Sequence, residues 1–267
     1  MNRWKNTIHR GDCLEVMQHI PDRSIDSIIC DLPYGTTACS WDNVIPFEPL
    51  WEQYNRIIKS NGAIVLFGSE PFSSHLRMSN IKNYKYDWVW NKIQAGNFMN
   101  IKTQPLKVHE NIIIFCKNTI RTYNPIRVDR TVKSLKRVPK GIDRIIKRNN
   151  GSIAEHYGVK PIDGIVNIDG KRNPISIIEF SKAPKTNRYN QIKHPTKKPV
   201  ALLEYLIKTY TNENETVLDN TAGSFTTAIA CIKQKRNYIM IEKDKHYFEI
   251  GKKRIAEQMY LENQRIF

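Results

Sequence analysis

Three short uncharged runs constrain this chain more than any other feature: Ser27-Ile28-Ile29-Cys30, Ala63-Ile64-Val65-Leu66-Phe67 and Asn111-Ile112-Ile113-Ile114-Phe115. Apolar runs of this length, without polar alternation, predict strands buried on both faces of a mainly parallel sheet. Between the first two, Leu50, Trp51, Tyr54, Ile57 and Ile58 recur at helical spacing over Pro49 to Lys59, with Asn61-Gly62 as the stop signal. That is a strand–helix–strand unit. At 267 residues the chain is long enough for one large α/β domain or for such a domain carrying an insertion.

The regular pattern stops near Lys117. From Asn118 to about Ile192 the chain is cut into short pieces by Pro125, Pro139, Gly141, Gly151, Pro161, Pro174 and Pro184. Ile165-Val166-Asn167-Ile168 and Ile175 to Phe180 are apolar enough that part of this region must pack. Order returns with an amphipathic helix over Val200 to Tyr210, a strand at Thr216 to Leu218 and a glycine-containing turn at Asp219 to Ser224. A helix follows, then a strand, Tyr238 to Ile241, that ends in Glu242, and a closing helix from about His246 to Met259. The reading is one α/β domain formed by residues 1–117 and 193–267, interrupted by an insertion at 118–192.

Charge tells what the insertion meets. The chain carries 42 Lys+Arg against 26 Asp+Glu, a formal net charge of +16. Residues 118–198 hold 19 of the cations and 6 of the anions, a local excess of 19 − 6 = +13. A polyanion is the natural partner of such a surface. A membrane surface fits less well, because no amphipathic helix with a bulky apolar face accompanies the charges. No stretch approaches 18 uncharged apolar residues, and the N-terminus lacks the apolar core of a signal peptide, so a soluble intracellular protein is expected. The five cysteines form no C-x-x-C pair or Cys/His cluster, so reduced thiols and no metal are expected.

Two segments carry chemistry. A strand, a turn, a helix and a second strand ending in an acid form the arrangement that holds nucleoside cofactors, with the carboxylate accepting from ribose hydroxyls. Asp219 and Glu242, 23 residues apart, suit it, but the turn has one glycine, Gly223, which disfavours a dinucleotide. The second segment, Asp31-Leu32-Pro33-Tyr34-Gly35, directly follows a buried strand, where open α/β sheets place their ligands. Asp31 and the Leu32 carbonyl can accept the two hydrogens of an exocyclic amine, freeing its lone pair. Pro33 fixes the backbone and adds no competing N–H, and Tyr34 can stack on the base. An aromatic face beside a polar clamp is what a flipped-out base requires. Alone, the tetrapeptide also reads as an ordinary turn.

Taken together these segments resemble the beta group of the DNA amino-methyltransferases, in which the catalytic motif precedes the cofactor motif. Asp31-Leu32-Pro33-Tyr34 is similar to the family's D-P-P-Y, and Val217 to Ala228 to its cofactor motif. His194-Pro195-Thr196-Lys197-Lys198-Pro199 is similar to its H-P-T-x-K-P, and Gly11-Asp12-Cys13 to its G-D-x. Gly68 to Phe72, Trp90-Asn91-Lys92 and His109-Glu110 resemble smaller motifs around the target pocket.

The resemblance implies a Rossmann-like methyltransferase fold with a seven-stranded, mostly parallel sheet, S-adenosylmethionine as cofactor, and the insertion as target recognition region. It implies catalysis by Asp31, Leu32, Pro33 and Tyr34. It implies cofactor binding by Asp12, Cys13, His194, Thr196, Lys198, Asp219, Ala222, Gly223, Ser224, Phe225, Thr226 and Glu242, and Phe225 departs from the family's usual glycine. DNA contacts are expected from Lys92, Lys133, Lys136, Arg137, Lys140, Arg144, Lys147 and Arg148.

The expected reaction is site-specific N6 methylation of adenine in double-stranded DNA. N4-cytosine methylation is the runner-up, because the clamp serves either amine, and the family's cytosine enzymes more often carry serine at the position of Asp31. RNA adenine methylation and a catalytically silent DNA-binding protein are further alternatives. C5-cytosine methylation is excluded, since its cysteine nucleophile usually follows proline and no Pro-Cys pair exists here. The resemblance also brings in a cognate restriction endonuclease and a second copy of the chain as partners. The expected place is the prokaryotic cytoplasm at the nucleoid, and a phage or mobile-element origin or a solitary role fits these residues equally.

Overall fold

The structure, a computed structural model, describes residues 3–36, 42–96, 98–129, 171–181 and 198–264. These fall into two compact units, residues 1–124 with 176–267, and residues 125–175. The strands are β1 (Thr7–Arg10), β2 (Ile25–Cys30), β3 (Ile58–Gly68), β4 (Tyr84–Gly96), β5 (Lys107–Phe115), β6 (Val128–Asp129), β7 (Lys171–Arg172), β8 (Ile177–Glu179), β9 (Thr216–Asp219) and β10 (Asn237–Glu242). The helices are α1 (Cys13–Met17), α2 (Phe47–Ile57), α3 (Phe72–Ser79), α4 (Val200–Tyr210), α5 (Thr226–Lys233) and α6 (Lys245–Gln264). Within the smaller unit, β6 pairs antiparallel with β7.

The larger unit is built on an eight-stranded sheet of order β1-β10-β9-β2-β3-β5-β4-β8. The pairs from β1 to β3 are parallel, β3–β5 and β5–β4 are antiparallel, and β4–β8 is parallel. The three apolar runs are its β2, β3 and β5, and period-two alternation sends their side chains to opposite cores. Ile28, Cys30, Ile64, Leu66, Ile113 and Phe115 pack on the face that α1, α2 and α3 cover. Ile29, Val65, Phe67, Ile112 and Ile114 pack on the other face, beneath Leu202, Leu206, Ala228 and Ile255 of α4, α5 and α6. In α2, Leu50, Trp51, Tyr54 and Ile57 form the buried stripe. Each such side chain contributes about 1.5–3 kcal/mol.

Two sequence expectations are corrected. Asn61-Gly62 does not stop the helix: α2 ends at Ile57, and β3 runs through both residues. Glycine is needed at 62 for packing, since an added Cβ would lie 2.5 Å from the Asp26 carbonyl oxygen and 2.7 Å from the Ile58 side chain. Ile177 to Glu179, assigned to the insertion from the sequence, instead pairs with Val89, Trp90 and Asn91 as an eighth strand. Ile178 is buried there, and Val89 N donates to Ser176 O at 2.7 Å.

Candidate active site

Strands β2 and β9 are neighbours, and their connections leave in opposite directions, β2 to β3 and β9 to β10, so their C-terminal ends flank a switch point where ligands bind in open α/β sheets. The two motifs end there and are tied together. Thr221 Oγ1 donates to the Asp31 carbonyl oxygen at 3.0 Å. Beneath, Cys30 Sγ and Tyr54 Oη both donate to Asn220 Oδ1, at 2.8 and 2.5 Å. The Asp31 segment and the Asp219 turn, 190 residues apart in sequence, thus share hydrogen bonds.

Asp31 heads a chain of alternating charges. Tyr34 Oη donates to Asp31 Oδ1 at 2.8 Å, and Lys198 Nζ donates to Asp31 Oδ2. The same ammonium stands 3.4 Å from Glu110 Oε2, and Glu110 Oε1 pairs with Lys92. Lys198 is 10 % exposed and Asp31 25 %, so the clamp carboxylate keeps an open edge while its counter-ion is shielded. Burial, reinforced by the Glu110 charge, pushes the Asp31 carboxyl above the usual range against the pull of Lys198. Burial also opposes ionisation of Glu110, yet Lys198 and Lys92 outweigh it and hold that carboxyl below its usual value. The difference is geometric: Glu110 lies between two cations, whereas Asp31 has one and faces a second carboxylate. Burial opposes the charge on Lys198 as well, but Asp31 and Glu110 raise its pKa. Burial, with the Asp31 charge, pushes the Tyr34 phenol far up, so it remains a donor. The Tyr34 ring stacks on Phe72, with centroids 4.9 Å apart. Leu32 is buried, as befits a residue that would contribute only its carbonyl.

The turn from Asp219 to Ser224 is equally fixed. Gly223 N donates to Glu242 Oε2 and Asp244 N to Glu242 Oε1, both at 2.7 Å. Thr227 Oγ1 donates to Asp219 Oδ2 at 2.5 Å and Thr221 N to Asp219 Oδ1 at 3.2 Å. Burial nevertheless pushes the Asp219 carboxyl up to about 7. Asp12 caps α1 by accepting from Leu14 N at 2.9 Å, and its second oxygen pairs with Lys243 at 3.1 Å. Arg254, which the sequence reading missed, is buried behind the turn. Its Nη1 donates to Ser224 O, to Ser224 Oγ at 2.9 Å and to Thr226 Oγ1 at 3.1 Å. The only sequence signal for it is a cation at an inward position of the closing helix. A cleft open to solvent is lined by Asp31, Phe67, Lys198, Asp219, Thr221, Ala222, Gly223, Ser224 and Thr226 among others.

The structure places the remaining site candidates as follows. Phe225 does not line the cleft. It takes the left-handed conformation, φ 59° and ψ 37°, and its fully buried ring packs edge-on to Phe248. Cys13 faces the core beside Met17. Lys198, expected on the cofactor, lines the cleft and also places its ammonium on Asp31. Lys92, expected on DNA, is 13 % exposed and engaged by Glu110, because β4 and β5 are adjacent and bring the two side chains together. His194, Thr196, Lys133, Lys136, Arg137, Lys140, Arg144, Lys147 and Arg148 lie outside the described residues.

The fold is that of a Rossmann-like methyltransferase, and Asp31 to Tyr34, the segment similar to D-P-P-Y, lies at its cleft. The chain belongs to the DNA methylase family of adenine-N6 and cytosine-N4 enzymes, whose family model matches residues 25–253. Type II methyltransferase M2.LlaDCHI of Lactococcus lactis subsp. cremoris is 43% identical over 269 residues, covering 92% of this chain and 87% of the relative. DNA adenine methyltransferase YhdJ of Escherichia coli K12 is 27% identical over 267 residues, covering 95% and 83%. Among solved structures, the M1.HpyAVI–SAM complex superposes with a TM-score of 0.58 at 25% identity, covering 93% of this chain and 98% of that one. PvuII DNA methyltransferase (cytosine-N4-specific) gives 0.64 at 15% identity, covering 95% and 91%, a likeness of fold alone.

The family is S-adenosylmethionine-dependent, and the residues present fit that cofactor. Asp31 and Asp219 both line the cleft and can accept from, or pair with, the α-ammonium and sulfonium of that cofactor. Each Glu242 oxygen accepts one backbone N–H, which leaves lone pairs for ribose hydroxyls. Among the described residues no cluster is placed to hold a metal, and no helix is long and apolar enough to cross a membrane.

Proposed function

We propose that this chain is a site-specific DNA adenine-N6 methyltransferase. The observation that carries the reading is that the open edge of Asp31 faces the cleft that Asp219 and Gly223 also line. When bound, S-adenosylmethionine supplies an electrophilic methyl group on sulfur. Glu242 holds the ribose hydroxyls, Asp12 the adenine amine, and Asp219 with Ser224 the amino-acid end. Asp31 and the Leu32 carbonyl accept the two N6 hydrogens of a flipped adenine, which withdraws the nitrogen lone pair from the ring and aims it at the methyl carbon. Tyr34, backed by Phe72, offers its other face to the base.

Adenine is favoured over cytosine by the aspartate at position 31 and by a relative named as an adenine methyltransferase. The basic insertion supplies the phosphate contacts that hold double-stranded DNA, and a cognate endonuclease and a second copy of this chain complete the proposed partners. The test is transfer of label from tritiated cofactor to unmodified DNA, followed by nucleoside digestion and mass spectrometry. N6-methyladenine is expected. N4-methylcytosine would refute the base assignment, and DNA retention without label would identify a silent DNA-binding protein.

A further inference from the structure

We propose that Lys198 is a positioning residue that hands over between two carboxylates, sitting on Asp31 while the target pocket is empty and moving onto Glu110 when the target amine enters. The inference rests on the methyltransferase reading above.

Three observations carry it. Lys198 Nζ occupies Asp31 Oδ2, an oxygen of the carboxylate that must accept an exocyclic N–H. Tyr34 already occupies the other oxygen, Oδ1. A second seat stands ready: Glu110 Oε2 is buried and without a hydrogen-bond partner among the described residues, and it lies 3.4 Å from the same ammonium. A shift of about 0.6 Å brings that separation to charge-assisted hydrogen-bond length. Leaving a buried carboxylate oxygen short of a donor is unfavourable, so Glu110 draws the ammonium as soon as Asp31 finds another donor.

The rings around the ammonium favour a short movement over escape. Nζ lies 5.0 Å from the Phe67 centroid and 5.9 Å from that of Tyr34, so it stays within reach of both aromatic faces. Lys92 fixes Glu110 from its far side and keeps the receiving carboxylate in place. The exchange conserves charge, since one ammonium stays between two carboxylates throughout. It frees Asp31 at the moment the amine arrives, and it keeps the clamp ionised and hydrogen-bonded until then.

The experiment compares wild type, Glu110→Gln, Glu110→Asp and the double variant Glu110→Gln/Lys198→Met. It measures single-turnover methyl transfer to unmodified DNA against pH, with cofactor affinity by calorimetry and thermal melting as checks on folding. Wild-type transfer is the control: its absence defeats the methyltransferase reading and not this one. With wild type active, Glu110→Gln is expected to lower the plateau rate at least about tenfold, as when one charge-assisted hydrogen bond is withheld, with cofactor affinity within about threefold. Its acid limb moves to lower pH, because the carboxylate that opposes Asp31 ionisation is gone. Glu110→Asp keeps the charge that Lys92 needs and retracts the seat, so it too is slower should Glu110→Gln fold poorly. The double variant is faster than Glu110→Gln alone, since no ammonium then blocks Asp31. A wild-type plateau in both single variants, or a double variant no faster than Glu110→Gln, overturns the proposal.

Discussion

The ring of Phe225 fills the space that a side chain at residue 251 would occupy: a Cβ added to Gly251 would lie 2.4 Å from it. The two residues are complementary. The usual glycine of the motif sits where the backbone is left-handed, and a phenylalanine accepts that conformation at a cost of about 1–2 kcal/mol. Burial of the ring under α6 offsets the strain, and Gly251 makes room for it. Gly251→Ala is therefore expected to destabilise the protein by about 1–3 kcal/mol through overpacking. In a Phe225→Ala background the same change should cost almost nothing. Denaturant titration of the four proteins checks the coupling, and cofactor affinity should stay within about threefold in Gly251→Ala, because the ring faces away from the cleft.

Asp31→Ala should abolish turnover while cofactor affinity changes only a few-fold, since the proposed function puts Asp31 on the amine and Glu242 on the ribose. In the wild type, transfer requires ionised Asp31, whose pKa burial raises. Activity therefore falls as pH drops through a value above the ordinary 3.8 of aspartate. A rate–pH profile with no acid limb, or an active Asp31→Ala, would overturn the clamp assignment.

How much of this was legible in the sequence depends on how local the cause is. Ile28, Val65 and Ile113 announced buried strands because their apolar runs are uninterrupted, and Val200 to Tyr210 announced a helix by its spacing. The role of Asn61-Gly62 was misread because a glycine that admits a neighbouring strand looks the same as one that ends a helix. Asp31, Asp219 and Glu242 stood out in the sequence because each lies at or just past the end of a strand. Lys198, Glu110 and Arg254 were not given their observed roles, since an ion pair between residues 88 apart and a cation pinning a turn 28 residues away leave no periodic trace.

Asp219 should make the cofactor-free protein less stable as pH rises. Its carboxyl titrates near 7 when folded and near 3.8 when unfolded, so the native state holds the extra proton between those values. The stabilisation from this proton is fully present below about 3.8 and is lost as pH rises through about 7. Melting temperatures measured from pH 5 to 8 should fall more steeply for wild type than for Asp219→Asn. Parallel slopes would mean that the carboxyl ionises as freely in the fold as outside it.

Neutralising Lys136, Arg137, Lys147 and Arg148 together should weaken DNA binding and flatten its dependence on salt, by a slope of about 0.9 for each phosphate that the protein no longer neutralises. Fluorescence anisotropy between low and moderate salt reads both quantities. An unchanged slope would place the DNA face elsewhere.

The pairing of β2 with β9 joins Ser27 and Ile28 to Val217 and Leu218. As the chain leaves the ribosome, β2 can pair with β3 early, but its other edge must wait for β9, beyond the insertion. Contacts this distant in sequence fold slowly, and until they form, β2 presents an unpaired apolar edge to whatever is nearby. The two segments that meet at the cleft are thus joined only after most of the chain has been made.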